Sequence, residues 1–155
     1  WAIPGRGEYW PMRESRSGAM LEGELTRSVI GVFYDIHRTL GYGFREYIYA
    51  LALERDLAVK GHHVRREVEV MIYHRGEPLA AQNVDMVVDD KVIVEIKATE
   101  GLHPSATSQL FGYLCASDLE VGLVLHFGRE PKVHRVIYEN RLKRHRHSSM
   151  YEAPR

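Results

Sequence analysis

Asn83-Val84-Asp85-Met86-Val87-Val88-Asp89-Asp90-Lys91-Val92-Ile93-Val94-Glu95-Ile96-Lys97 reads as two β-strands joined by a turn at Asp89-Asp90. Side chains alternate faces along a strand, so Glu95 and Lys97 share a face across Ile96. Asp85 must come from the partner strand, and the length of the turn decides where it points. A two-residue loop at 89–90 pairs Asp85 with Val94 and sends the two carboxylates to opposite faces, because a one-residue slip inverts every side chain. A three-residue loop with one residue in the left-handed region brings Asp85 and Glu95 together. Asp tolerates that conformation better than most residues other than Gly, so Asp89-Asp90 permits it.

In the odd-loop register, Val84, Met86, Val88, Val92, Val94 and Ile96 form one apolar face that wants a helix packed on it. The other face runs from Val87 and Ile93 to a charged end at Asp85, Glu95 and Lys97. Two carboxylates and an amine gathered there suit a divalent cation beside a phosphate, since such charges are unfavourable on an apolar strand pair unless matched. An ordinary Lys–Glu ion pair on a solvated face accounts for the same residues and stays open at this point.

Outward from the hairpin, Leu25, Val29, Val32, Phe33, Ile36 and Leu40 recur at helical spacing, predicting a helix over 22–40 stopped by Gly41 and Gly43. A second helix is expected from Arg45 to Lys60, a strand from Val64 to Tyr73 and a turn at 74–78. A third helix opens at Pro104 and ends near Ser117, with Gln109 and Tyr113 on one face. Val121–Phe127 reads as a buried strand and Val133–Tyr138 as one nearer an edge. The order predicts an α/β (α+β) fold, a mixed central sheet flanked by helices.

The 155 residues suit one domain at 20–140, between a poorly ordered Gly-, Pro- and Arg-containing extension at 1–19 and a basic polar tail at 141–155. Met20 is a candidate start. Formal net charge is zero, so any nucleic-acid binding must rest on local basic surface rather than on a global field. Cys115 is the only cysteine, which excludes an internal disulfide framework and a cysteine-rich zinc site and suits a reducing, cytoplasmic setting. No apolar run approaches the length of a membrane span, so no membrane partner is expected. His37, His62, His63 and His126 lack a regular ligand spacing and are expected to be structural or surface groups.

Three patterns combine into a resemblance. Gly43-Phe44-Arg45-Glu46-Tyr47-Ile48-Tyr49 has the form GxxExxY, Asp85 with Glu95-Ile96-Lys97 the form D…ExK, and Gln109-Leu110-Phe111-Gly112-Tyr113 the form QxxxY. In this order and spacing, over residues 22–140, the chain resembles GxxExxY-type proteins of the PD-(D/E)XK nuclease superfamily, in its RecB-like QxxxY branch. The resemblance implies a restriction-endonuclease-like core and a Mg2+- or Mn2+-dependent nuclease acting on nucleic acid, with DNA the expected substrate. It implies Glu46, Asp85, Glu95 and the Ile96 backbone carbonyl as metal ligands. Lys97 would orient water or stabilise developing charge, Gln109 would position phosphate or the attacking water, and Tyr113 would stack on a base or sugar. Asn83-Val84, just before the aspartate, departs from the pattern of many relatives, which leaves the metal set intact and bears on substrate contacts. A nucleic-acid-binding or regulatory protein that keeps the fold without turnover is the alternative. Oligomeric state stays open, a dimer included.

Overall fold

The computed structural model describes residues 21–143. The extension at 1–19 and the tail from residue 144 onward lie outside the described residues. Helix α1 (Gly23–Leu40) ends where Gly41 takes φ 71, and helix α2 (Glu46–Val59) follows a short linker. Strands β1 (Val64–His74), β2 (Glu77–Val88) and β3 (Val92–Lys97) come next, then helix α3 (Ser105–Cys115), strands β4 (Val121–Phe127) and β5 (Pro131–Ile137), and a 3-10 turn at Asn140–Leu142. The strands form one sheet in the order β1-β2-β3-β4-β5. Only β3 and β4 run parallel, so the sheet is mixed and α3 is the crossover that a parallel pair requires.

Both faces of the sheet are covered. Val29, Val32, Phe33 and Ile36 of α1 and Tyr49, Leu53 and Leu57 of α2 pack on Met86, Val88, Val92, Val94, Leu125 and Phe127. Ala106, Leu110, Tyr113 and Leu114 of α3 cover Val87, Ile93, Val124 and Val136 on the opposite face. Burying each large aliphatic side chain contributes about 1.5–3 kcal/mol, which fixes which way every central strand faces. Strand β4 is buried along its whole length, as its unbroken apolar sequence requires. This is the α+β sheet with flanking helices that the sequence implied.

The hairpin turns with an odd loop. Ladder pairs Met86–Val94, Val87–Ile93 and Val88–Val92 leave Asp89, Asp90 and Lys91 as the connection. Two of these, not one, are left-handed, Asp89 at φ 51 and Asp90 at φ 55. Continuing the register sets Asp85 opposite Glu95. The loop is held from outside: the Asp89 peptide N–H donates to the His63 carbonyl at 2.8 Å, and Asp89 Oδ1 accepts the His63 N–H at 2.7 Å. Asp89 Oδ2 lies 2.7 Å from His62 Nδ1, whose ring in turn reaches Ser28 of α1 at 2.8 Å. A hydrogen-bonded chain therefore ties the turn to the start of β1 and to α1.

Two features differ from expectation. Val84 packs with Val70, Val87 and Ile93 rather than with Met86 and Val88. Likewise on β1, Val64 packs against the first layer and Val68 against the second, with Glu67 at φ 52 between them. A left-handed residue breaks the two-residue alternation, so the pleat changes face where the ladder passes from Arg66–Met86 to Val68–Val84, at the level of Asp85. Strand β2 also begins at Glu77, six residues before Asn83. Its first seven residues are exposed and pair with β1 in an arm beyond the main sheet. Pro78 sits near the free end of that arm, a position proline tolerates.

Candidate functional site

The β2–β3 ladder stops at Met86–Val94, and beyond it side chains take over the hydrogen bonding. Asp85 Oδ2 accepts the Ile96 peptide N–H at 2.8 Å, and Glu95 Oε1 accepts the Asp85 peptide N–H at 3.4 Å. Both carboxylates thus enter the opening between the strands. The change of face at residues 84–86 makes this possible, because Asp85 is released from the regular pleat just where the strands part.

Glu95 is only 2% exposed. Burial, then the adjacent Asp85 charge, pushes its carboxyl up from an ordinary 4.5 to about 8, with Lys97 opposing them. Lys97 Nζ stands 3.7 Å from Glu95 Oε2 and donates to Gln109 Oε1 at 3.4 Å. One ammonium therefore faces two carboxylates, and with both ionised the surplus is negative. Adding a cation relieves that surplus.

Helix α3 supplies a relay on the same side. Gln109 Nε2 donates to the Tyr113 hydroxyl at 2.7 Å, and that hydroxyl donates to the Asn83 carbonyl at 3.4 Å. Burial and the Glu95 charge hold the Tyr113 phenol above its usual range, so it keeps the proton it donates. The Tyr113 ring is 3% exposed and lies in the α3 core. It has no free face for a base, so the expected stacking role gives way to holding Gln109 toward Lys97.

Glu46 stands apart. It is exposed in the first turn of α2 and, among the described residues, makes no hydrogen bond or ion pair with Asp85, Glu95 or Lys97. The other two fixed positions of its motif have structural work. Gly43 takes φ 107, which strains any other residue. Tyr49 stacks on Phe127 at 4.0 Å, while its hydroxyl donates to the Gly41 carbonyl at 2.8 Å and accepts the Phe44 N–H at 3.3 Å. Together they fix the linker that leads into Glu46.

The donor set suits a hard cation. Asp85 and Glu95 offer carboxylate oxygens, and the Ile96 carbonyl projects to the same strand edge as its N–H, toward Asp85. Oxygen donors without nitrogen or sulfur match Mg2+ or Mn2+, which keep several waters. Among the described residues no three His, Cys, Asp or Glu side chains are grouped to hold a metal ion, so a cation bound here would need other oxygens, from water or substrate, for the rest of its shell.

His126 is structural, as the sequence implied, whereas the Asn83 carbonyl and a cavity at the turn end had no signal in the sequence. His126, 1% exposed, is the ladder partner of Lys97 and donates from Nε2 to the Thr99 carbonyl at 2.7 Å, which supports the chain just after β3. A Cβ on Gly128 would meet that ring at 2.5 Å, so this glycine makes room for it. The Asn83 carbonyl became a site member only through tertiary contact. A cavity of about 430 Å3 lies at the turn end, lined by Glu22, Glu24, His62, Asp89 and Lys91, away from the carboxylate pair. Of the expected basic tail, Arg141 pairs with Glu139 and Lys143 donates to the Ser117 and Leu119 carbonyls, so these charges are used within the domain.

Comparison with known proteins gives one family. The model of the PD-(D/E)XK nuclease superfamily matches residues 23–136. No curated protein matches the chain. Among solved structures, the crystal structure of SSO0001 is similar at 22% identity and a TM-score of 0.49, over 76% of this chain and 59% of that one. No described helix is long and apolar enough to cross a membrane.

Proposed function

Because the chain belongs to the PD-(D/E)XK nuclease superfamily, we propose that it is a metal-dependent nuclease that hydrolyses phosphodiester bonds of DNA at the open end of the β2–β3 hairpin. The observation that carries this is the convergence of Asp85 and Glu95 across an odd loop, with Lys97 Nζ 3.7 Å from Glu95. Its GxxExxY and QxxxY patterns support a reading within the RecB-like branch of that superfamily. Cys115, unpaired, suits action in the cytoplasm.

Asp85, Glu95 and the Ile96 carbonyl would hold the cation, with Glu46 proposed as a further carboxylate ligand. Mg2+ or Mn2+ there would lower the pKa of a water and neutralise charge on the phosphodiester. Lys97 orients the attacking water and faces the charge that develops on the phosphate oxygens. Gln109, held by Tyr113, fixes the position of Lys97 and offers its amide to a phosphate oxygen. The proton affinity of buried Glu95 is raised, so a cation bound there would compete with its proton, which links metal loading to deprotonation.

A panel of single-stranded, duplex and branched DNA and of RNA, incubated with Mg2+ or Mn2+, tests this. Metal-dependent cleavage should be lost in Asp85→Ala and in Lys97→Ala. Binding without cleavage of any member would instead favour a nucleic-acid-binding protein that keeps the fold without turnover.

A further inference from the structure

His126 lies on the same face of the sheet as Glu95 and Lys97, and no step of the proposed chemistry uses it. Parallel ladder pairs set Glu95 beside Val124 and Lys97 beside His126. Residues paired in this way point to one face, on strands about 4.8 Å apart. Val124 packs with the residues of α3, which identifies that face as the α3 side. The imidazole is therefore the neighbour of Lys97 on the adjoining strand, in a position only 1% exposed.

The ring is held there at a cost. Its Nε2 donates to the Thr99 carbonyl at 2.7 Å, while Nδ1 is buried with no hydrogen-bond partner among the described residues. A buried nitrogen left unpaired bears the penalty of its lost hydration, which an apolar side chain avoids. The backbone makes way as well, since a Cβ on Gly128 would meet the ring Cε1 at 2.5 Å. Gly128 is itself tied to α1, where His37 Nε2 donates to its carbonyl at 2.8 Å. Packing alone asks for none of this, so the bond to Thr99 is what sets a histidine apart at this position.

Thr99 stands two residues past Lys97, in the connector 98–104 between β3 and α3. Thr99, Glu100, Gly101, His103 and Pro104 are exposed, and exposed connections are mobile unless something ties them. This connector joins the two groups that have to meet, for Lys97 Nζ on β3 donates to Gln109 Oε1 on α3 at 3.4 Å. Lysine carries its ammonium on a flexible four-carbon stem, so its placement depends on what surrounds it. We infer that His126 is a positioning residue for the phosphodiester reaction: by pinning Thr99 beside Lys97 it keeps Lys97 and Gln109 together at the carboxylate pair. The inference rests on the nuclease reading for the work that Lys97 does. Asp85 and Glu95 are held by contacts between β2 and β3 that His126 does not enter, so metal loading is independent of it.

The test compares His126→Phe, which keeps a ring and removes the bond to Thr99, with His126→Gln, whose amide nitrogen takes the place of Nε2. On whichever DNA wild type cuts, His126→Phe should lower kcat by about 10–10²-fold at saturating Mn2+, the range for a slight misplacement of a reacting group. Its KM and its Mn2+ affinity should stay as in wild type, and its melting temperature should not fall. His126→Gln should recover most of the rate. Hydrogen exchange read by mass spectrometry should show residues 98–104 of His126→Phe opening about fivefold more often, the effect of one lost hydrogen bond, with 85–95 unchanged. Should the larger phenyl ring lower the melting temperature, His126→Leu, close to imidazole in volume, takes its place with the same expectations. A wild-type rate in the apolar variant, a loss matched by lost Mn2+ affinity, or a Gln variant no faster than the apolar one overturns the inference. If wild type cuts no member of the substrate panel while exchange over 98–104 rises in the apolar variant, the nuclease reading fails and the pin on the connector stands. If wild type cuts and the apolar variant matches it in rate and exchange, the reverse holds.

Discussion

The two ends of the β2–β3 hairpin carry the same kind of group in opposite states. At the closed end Asp89 is partly buried, which raises its carboxyl, but the His62 side chain, the His63 N–H and nearby Lys91 outweigh burial and hold it below its ordinary 3.8. At the open end burial and Asp85 outweigh Lys97 and lift Glu95 to about 8. The closed end has donors to match its charge and is a structural fastening. The open end has more carboxylate than cation, so its charge is matched only when something positive binds. The difference separates fold from function along about ten residues of one hairpin.

The largest effect should come from the only ammonium ion-paired with Glu95 among the described residues. Lys97→Ala removes that charge and the contact to Gln109, and should lower the cleavage rate by about 10²–10³ at saturating metal, as removal of a charge-stabilising donor does elsewhere. A single-turnover assay reads it. Near-normal turnover would mean that the open end is not where chemistry occurs. Metal binding sharpens the point: below about 8 a cation must displace the Glu95 proton, so Mn2+ affinity should rise up to about tenfold per pH unit toward 8 and then level. A flat profile by calorimetry would show that Glu95 is not a ligand.

Next in size is a stability change with an unusual sign. Glu95 has a folded pKa above its ordinary 4.5, so its burial is harmless in acid and destabilises progressively as pH rises from about 4.5 to about 8. Glu95→Gln removes that penalty and keeps an oxygen to accept the Asp85 N–H. In EDTA the variant should melt several degrees higher than wild type at pH 8, at about 2–8 °C per kcal/mol, and show little difference at pH 4.5. A lower melting point at pH 8 would mean that Glu95 is a structural ion-pair member, like the groups at the closed end.

Sequence patterns carried some of this further than others. The helices and β4 were legible because burial enforces a 3.6 period on an amphipathic helix and an unbroken apolar run on a central strand. Asp85 meeting Glu95 was legible as a condition on loop parity, since alternation turns one residue of loop into a choice of face. Val84 was misassigned because that same alternation was carried through Asp85, and nothing in Arg66-Glu67-Val68 announces a left-handed glutamate. The first residues of β2 were invisible, as Glu77 to Asn83 offers neither alternation nor a buried face. The Ser28–His62–Asp89 chain joins residues 34 and 27 positions apart, which no local pattern encodes.

Smaller effects test the closed end. Asp89→Ala leaves the His63 N–H and the His62 ring without their acceptor and should lower stability by about 1–3 kcal/mol at neutral pH, with solvent exposure of the turn favouring the lower part of that range. Its folded pKa lies below the ordinary value, so this stability is present above about pH 4 and is lost as pH falls through the folded pKa, the reverse of Glu95. Wild type and variant should therefore converge in acid and diverge above it. Asp90 completes the comparison, since it shares the left-handed turn but faces Arg65 from a half-exposed position at 2.6 Å. Exposed ion pairs contribute up to about 1 kcal/mol and are screened by salt, so Asp90→Ala should be the mildest change and should shrink further in 1 M NaCl. If Asp90→Ala instead matched Asp89→Ala and both faded with salt, charge rather than backbone hydrogen bonding would hold the odd loop, and the register that brings Asp85 to Glu95 would itself depend on ionic strength.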